Sequence, residues 1–150
     1  ERIAKEGNPK KFNYPRPMMH SDNLNLSFSG LKTAVLYSIR DLENLDENIP
    51  DIAASFQRAA IDVLVSKIKK SIIQTHRDTL ILAGGVAANG LLRDEMSKLE
   101  AELNIKVRYP AMKHCTDNAA MIAYLGSLKT PDSATQGNSS ARPRWPLNEV

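Results

Sequence analysis

The chain has 150 residues, of which 42% are hydrophobic and 25% are charged, and its formal net charge is +3. This length and composition are typical of one globular domain with a sizeable core. No apolar run approaches the roughly 20 residues that are needed to cross a bilayer, so the sequence predicts no membrane span and we expect a cytoplasmic protein. The modest positive charge permits a nucleic-acid partner without requiring one.

A single cysteine, Cys115, excludes an internal disulfide and a multi-cysteine zinc site, and it fits a reducing compartment. No motif around Cys115 supports a nucleophilic role, so an ordinary buried thiol is the simpler interpretation. The three histidines are scattered and suggest neither a catalytic triad nor a closed zinc site: His20, His76 and His114.

The first residues indicate the end of a helix. Residues 1–7 are closed by Gly7 and do not begin with methionine, so we expect the chain to be a piece of a longer protein. Residues 8–27 predict an extended arm, because its prolines forbid a helix. The cations of this arm could follow an RNA backbone, with a solvated connector as the favoured alternative: Lys10, Lys11 and Arg16.

Two amphipathic segments follow the arm. The first begins near Ser29, a candidate N-cap residue. Residues 41–50 predict a polar link that ends at Pro50, and residues 51–75 predict the longest helix. Three lysines late in this helix would complement its dipole: Lys67, Lys69 and Lys70.

The central motif is a buried strand followed by a glycine turn and a helix. Residues 79–83 are uncharged and rich in Leu and Ile, Gly84 and Gly85 follow, and apolar residues then recur at helical spacing within 91–103. Such a turn can hold a nucleotide, because glycines let the backbone approach a ligand and the first N–H groups of a helix favour phosphate. The Walker and dinucleotide fingerprints are missing, so a turn that merely connects strand and helix is an equal alternative.

The last predicted strand, residues 105–109, leads through a loop to Asp117 and to a helix rich in small residues. A carboxylate at this place can cap the helix or bind a cation, and capping is the simpler alternative. Residues 131–150 have low hydrophobicity and predict a mobile carboxy-terminal tail. The order of elements therefore predicts an α/β fold, in which residues 1–130 form part of one lobe.

Four blocks of the sequence together resemble one protein family. They are residues 28–33, residues 83–89 with Leu92 and Arg93, residues 115–123, and residues 142–147. In this order they look like the carboxy-terminal half of the bacterial-type tRNA N6-adenosine threonylcarbamoyltransferase. This is the threonylcarbamoyladenosine synthase subunit, once described as an O-sialoglycoprotein endopeptidase. The resemblance covers essentially the whole chain.

The resemblance implies an actin-like, sugar-kinase-like and heat-shock-protein-like ATPase fold of two lobes, with residues 1–130 as part of the carboxy-terminal lobe. It implies transfer of the threonylcarbamoyl group from threonylcarbamoyl-adenylate to N6 of adenosine 37 in tRNAs that read codons beginning with A. The implied partners are tRNA, an amino-terminal lobe, a dimerising paralogue and a small ATPase.

By position, the resemblance implies that Asn89 contacts the nucleotide portion of the substrate and that Gly84 and Gly85 pass beside it. It implies Asp117 as a ligand of one divalent metal ion per subunit, iron or zinc. The other implied ligands are histidines of the amino-terminal lobe, which this chain lacks, so we expect the chain by itself to be inactive and to bind metal poorly. No residue of this chain is implied as catalytic, and no motif supports peptide hydrolysis.

Two other interpretations stay open. A half-length relative could act as a non-catalytic interaction module that pairs, through its small-residue helix, with a full-length subunit or a paralogue. A nucleotide-dependent kinase of the same fold is less favoured, because the block around Asp117 matches the metal site of the modifying family.

Overall fold

The computed structural model of the protein describes residues 1–128. Their helices and strands are, in chain order, α1 (Ser29–Arg40), α2 (Leu45–Thr75), β1 (Thr79–Ile81), α3 (Gly90–Leu103), β2 (Lys106–Arg108) and α4 (Ala119–Leu128). Short 3-10 turns occupy Ile3–Glu6, Gly85–Ala88 and Met112–His114. The chain divides into two compact units, Glu1–Asp117 and Asn118–Val150. Helices combined with a small parallel sheet confirm the predicted α/β class.

In the described part of the chain, β1 and β2 form a two-stranded parallel sheet with α3 as the connection between them. The register pairs are Thr79 with Lys106, Leu80 with Val107, and Ile81 with Arg108. Two parallel strands end at the same edge of a sheet, and this edge is where α/β proteins place their ligands. The segments that carry Gly84 and Asp117 therefore start from one edge.

The main core of the first unit joins α2, α3 and the sheet. Its buried residues are Ile61, Ile72, Leu92, Met96, Leu99, Ile105 and Val107. The apolar face predicted for α3 is confirmed, because Leu92, Met96 and Leu99 are buried. Burial of such a side chain contributes roughly 1.5–3 kcal/mol. This packing fixes α3 and, with it, the helix end that follows the glycine turn.

The proline-containing arm has no helix, as predicted, but it is not extended throughout, because turns closed by backbone hydrogen bonds interrupt it between residues 8 and 21; side chains fasten it to α2. Lys11 Nζ lies 2.7 Å from a carboxylate oxygen of Asp51, and Arg16 Nη2 lies 2.9 Å from one of Asp62. A second buried cluster lies beneath the arm and consists of Tyr14, Leu31, Ile52 and Ala59. Two of the cations that the sequence offered for RNA contact are thus in ion pairs with α2, which favours the connector interpretation.

Two helix starts differ from the sequence prediction. α2 begins at Leu45 and includes Pro50, whereas the sequence predicted a polar link over residues 41–50 and a helix that starts after this proline. Asp46 and Glu47 lie in the first turn of α2, where acidic side chains complement the helix dipole. The prediction of Ser29 as an N-cap is wrong, since Ser29 is the first residue of α1 and no side chain caps that helix.

In the second unit, Asn118 Oδ1 accepts a hydrogen bond of 3.0 Å from Met121 N in the first turn of α4. Asn118 thus fills the capping role that the sequence offered to Asp117. No residue of α4 is buried. The predicted tail at 131–150 and the motif at 142–147 lie outside the described residues. None of the helices within residues 1–128 is long and apolar enough to span a membrane.

Candidate nucleotide and metal site

The turn after β1 is shaped by glycine. Gly84 has φ 83° and ψ 177°, a backbone conformation that residues other than glycine rarely adopt. Apart from its chain neighbours, a Cβ atom built on Gly84 or on Gly85 meets no atom within 4 Å. The backbone therefore faces open space at both glycines. Because the first N–H groups of a helical turn have no partner within that turn, Gly85–Ala88 offers donors to a ligand.

Asn89 begins α3 and has a structural role. Its Oδ1 accepts a hydrogen bond of 3.1 Å from Leu92 N, which makes it the N-cap of the helix, and its Nδ2 donates to Gln57 Oε1 at 3.2 Å. These bonds hold the side chain in one orientation and tie the turn to α2. An amide has two N–H groups and two carbonyl lone pairs, so one of each remains for a ligand.

The N-terminus of α3 also contacts a carboxylate of the protein. Glu1 Oε1 accepts a hydrogen bond of 3.1 Å from Gly90 N. Negative charge is stabilised at this end of a helix by the free N–H groups and the helix dipole. A phosphate that approached Gly90 N would have to replace Glu1, whereas the open side of the glycine turn needs no such replacement.

Asp117 ends the first unit and its side chain is exposed. The neighbouring Cys115 is 2% exposed, and His114 is exposed. Residues 1–128 contain no group of three or more His, Cys, Asp and Glu side chains that could hold a metal ion. Asp117 can contribute one carboxylate ligand, but the donor set in the described part of the chain does not fit a metal ion by itself.

Arg93, in the first turns of α3, contacts both segments that leave the sheet edge. Its Nε donates to Ala87 O at 2.6 Å, and its Nη2 lies 3.6 Å from Cys115 Sγ. Its Cζ lies 4.6 Å from the centre of the Tyr109 ring. Arg93 belongs to one of the sequence blocks that carry the family resemblance, but the sequence alone assigned it no role. The available signal was an arginine one helical turn after the asparagine that follows the glycines.

The phenol of Tyr109 lies below this guanidinium. Its hydroxyl oxygen is buried and has no hydrogen-bond partner among the described residues. Burial raises the pKa of Tyr109, the nearby Arg93 charge opposes this shift, and Glu100 adds to it. Tyr109 is therefore a neutral, packed ring near neutral pH, and its contact with Arg93 is a cation–π contact.

An open cleft of about 610 Å³ lies beside the turn, between α2 and the segment that contains Asn89. Its wall is mainly apolar and includes Phe56, Leu64, Ile68, Leu82 and Val86. Gln57 and Asn89 add polar groups to this wall. Phosphate needs N–H donors or cations, so the cleft suits an apolar group better than a phosphate, and the glycine backbone remains the candidate phosphate contact.

The described residues thus define an α/β protein whose candidate site is built from segments that follow two parallel strands. The sequence profile of the TsaD family, tRNA N6-adenosine threonylcarbamoyltransferase, matches residues 1–124. The chain belongs to this family.

Curated relatives carry the same family name. The chain is 41% identical over 167 aligned positions to the tRNA N6-adenosine threonylcarbamoyltransferase of Neisseria meningitidis, with 99% of this chain and 47% of that protein covered. It is 50% identical over 128 positions to that of Thermosipho africanus, with 84% and 38% covered. For Chromobacterium violaceum the identity is 42% over 154 positions, with 99% and 45% covered. The chain spans about half the length of the curated relatives it matches.

Proposed function

We propose that the chain is the carboxy-terminal half of a tRNA N6-adenosine threonylcarbamoyltransferase and forms part of one lobe of an actin-like, sugar-kinase-like and heat-shock-ATPase-like fold. The whole enzyme moves the threonylcarbamoyl group from threonylcarbamoyl-adenylate to N6 of adenosine 37 in tRNAs that read codons beginning with A. Adenylate is the leaving group. The observation that carries the proposal is the open glycine turn, which ends at the fixed amide of Asn89 and leaves the same sheet edge as the segment to Asp117.

In this proposal the chain binds and orients the adenylate. The adenylate approaches the protein backbone at Gly84 and Gly85, where no side chain stands in the way. The remaining N–H and carbonyl lone pair of Asn89 bind a ribose hydroxyl or a phosphate oxygen. Because the Gln57 and Leu92 contacts already hold Asn89, little conformational entropy is lost when the ligand binds.

The proposed metal ion, iron or zinc, needs more ligands than the described residues provide. Asp117 would supply one carboxylate, and histidines of an amino-terminal lobe would supply the others. When bound, such an ion polarises a carbonyl group. We therefore expect this chain by itself to lack transferase activity and to bind either metal weakly, and activity to return when an amino-terminal half is added.

Calorimetric titration with AMP tests the nucleotide site. The variant is Gly85→Ala, and the matched control is Gly30→Ala, since a Cβ at Gly30 meets its nearest neighbour, Pro17 Cγ, at an ordinary 3.7 Å. Gly85→Ala adds a methyl group to open space, so the fold is retained while the ligand loses its approach. We expect about tenfold weaker AMP binding for Gly85→Ala, which is about 1.4 kcal/mol, and unchanged binding for Gly30→Ala.

The proposal is contradicted if the unaltered chain takes up no AMP or if both glycine variants bind it equally well. Asn89→Ser provides a second arm, because serine preserves the cap acceptor but removes the amide N–H groups. Its unfolding free energy should fall by no more than about 1.5 kcal/mol, because the cap is kept and only the hydrogen bond to Gln57 is lost. Its AMP affinity should fall about tenfold if Asn89 contacts the nucleotide.

The proposed partners of the complete enzyme are tRNA, threonylcarbamoyl-adenylate, the amino-terminal lobe, a dimerising paralogue and a small ATPase, in the cytoplasm. Belonging to a family named for tRNA modification supports the first of these partners. A transferase assay on the chain, with and without an amino-terminal half from a relative, distinguishes the enzyme from a non-catalytic interaction module. Failure to recover activity in the mixture would favour the module.

A further inference from the structure

We propose that Arg93 is a positioning residue that holds the glycine turn against the segment leading to Asp117. Its guanidinium contacts the Ala87 carbonyl, the Tyr109 ring and the Cys115 thiol. These groups belong to different segments, which the parallel strands bring to one edge of the sheet. The claim that this link positions the adenylate site rests on the function proposed above. The link between the two segments does not depend on that function.

The contacts lie close to the proposed ligand groups along the chain. Ala87 precedes Asn89 by two residues and is 1% exposed, and Cys115 precedes Asp117 by two residues and is 2% exposed. Both anchoring points are therefore packed into the protein, while Asp117 is exposed. A shift of Arg93 would release one or both anchors and so change the spacing between Asn89 and Asp117.

The chemistry of the contact requires arginine. The guanidinium is a planar fork that can donate in two directions and stack on an aromatic face at the same time. Its Nε reaches Ala87 O at 2.6 Å, its Nη2 reaches toward Cys115 Sγ at 3.6 Å, and its Cζ lies over the Tyr109 ring. A lysine ammonium on a flexible stem can replace one of these contacts but not all of them. The α3 core fixes the helix from which Arg93 extends.

The reactivity of Cys115 measures this link without any ligand, because the chain has a single cysteine. The variants are Arg93→Gln and Arg93→Lys, and the matched control is Arg58→Gln, which breaks the ion pair between Arg58 of α2 and Glu95 of α3 but leaves the Cys115 contact intact. We expect the rate of reaction with an aromatic disulfide reagent at fixed pH to rise at least tenfold in Arg93→Gln. Arg93→Lys should show a smaller rise, and Arg58→Gln should show none in the absence of urea.

Low urea concentrations separate local opening from global unfolding. A locally opened Cys115 reacts at a rate that is nearly independent of urea, whereas a thiol exposed by unfolding reacts faster with each addition. Equal rates for Arg93→Gln and Arg58→Gln, or a fast rate that rises steeply with urea, would overturn the positioning role.

AMP titration of the same variants tests whether the Arg93 contacts position the nucleotide site. Affinity should fall about tenfold in Arg93→Gln, recover in part in Arg93→Lys and stay unchanged in Arg58→Gln. If thiol reactivity changes as expected and neither the unaltered chain nor any variant binds AMP, the link through Arg93 is supported and the proposed nucleotide site is contradicted. If the unaltered chain binds AMP and Arg93→Gln binds it equally well with a protected thiol, Arg93 has no positioning role.

Discussion

Lys67 is a charged residue of α2 that is only 4% exposed. Its Nζ donates to Ser21 O at 3.0 Å, to Ser21 Oγ at 2.8 Å and to Asn23 O at 2.6 Å. Three donors thus meet three acceptors, which makes burial of the ammonium tolerable. The sequence grouped Lys67 with two lysines that complement the helix dipole, but its contacts show that it anchors the loop before α1.

Replacing Lys67 by methionine should lower the free energy of unfolding by about 1–3 kcal/mol, because Ser21 Oγ and Asn23 O lose their donor, whereas Ser21 O keeps a hydrogen bond from Lys70. Lys69→Met is the matched control, since Lys69 pairs with Glu102 at the surface and such pairs contribute at most about 1 kcal/mol. Urea denaturation of the variants measures the difference. Equal losses would contradict the anchoring role.

Gly7 is needed for a close backbone contact. A Cβ atom at this position would lie 2.0 Å from Pro50 O, so the arm could not stay against α2. We expect Gly7→Ala to lower the free energy of unfolding by about 1–3 kcal/mol. Gly30→Ala, within α1 and free of such a clash, should instead raise it by up to about 1 kcal/mol. Thermal unfolding of both variants checks the opposite signs.

At the scale of the elements, a chain of ion pairs joins α2 and α3. Arg58 pairs with Asp62 at 2.8 Å and with Glu95 at 3.1 Å, and Glu95 also accepts from Lys98 at 2.8 Å. The hydrogen bond from Lys98 is the largest effect on the pKa of Glu95 and lowers it. Desolvation by burial, the second effect, raises this pKa, and Arg58 lowers it further. The carboxylate thus stabilises the packing of the two helices while it is ionised.

Glu95→Gln should reduce the free energy of unfolding by about 1 kcal/mol at pH 7. Because the folded pKa of Glu95 lies below its ordinary value of 4.5, the stabilisation is present above that pH and is lost as the pH falls through the folded pKa. The original chain and Glu95→Gln should therefore converge in stability once the pH has fallen below the folded pKa of Glu95. Urea denaturation from pH 3 to pH 7 measures this, with the surface variant Glu102→Gln expected to show little change throughout. A difference for Glu95→Gln that grows in acid would contradict it.

At the scale of the whole molecule, the described residues of the two units differ in how far they are buried. The first unit contains both hydrophobic clusters, whereas α4 in the second has no buried residue. Its apolar side chains are exposed, among them Ile122 at 63% and Tyr124 at 68%. The described part of the second unit is essentially this one helix, and a helix of ten residues is marginal in water by itself.

We therefore expect two levels of amide hydrogen exchange. Buried positions of α2 and α3, such as Val63 and Met96, should exchange at least about 100-fold more slowly than positions of α4. Mass spectrometry of peptides from each helix, at a fixed pH, measures the ratio. Uniform protection across α2, α3 and α4 would show that α4 is stabilised as well as the main core.

The sequence by itself determined the place of the strand, the glycine turn and the apolar face of α3, because strand and helix periods and the freedom of Gly84 are local properties. The prediction that this strand is buried is wrong, since Thr79 is exposed and Ile81 is 74% exposed. It also supplied the motifs of the family to which the chain belongs. The site assignments of Asn89, Gly84, Gly85 and Asp117 remain predictions, since ligand contacts depend on groups beyond these motifs.

Only the tertiary structure decided how Lys67 and Arg93 are used. Lys67 meets Ser21 across 46 residues of chain, and Arg93 meets Cys115 across 22. It also placed Pro50 within α2 rather than before it. The periodicity of a segment shows which face is buried but not which distant side chain packs against it. Contacts between residues far apart in sequence arise only when α2, α3 and the two strands are packed together.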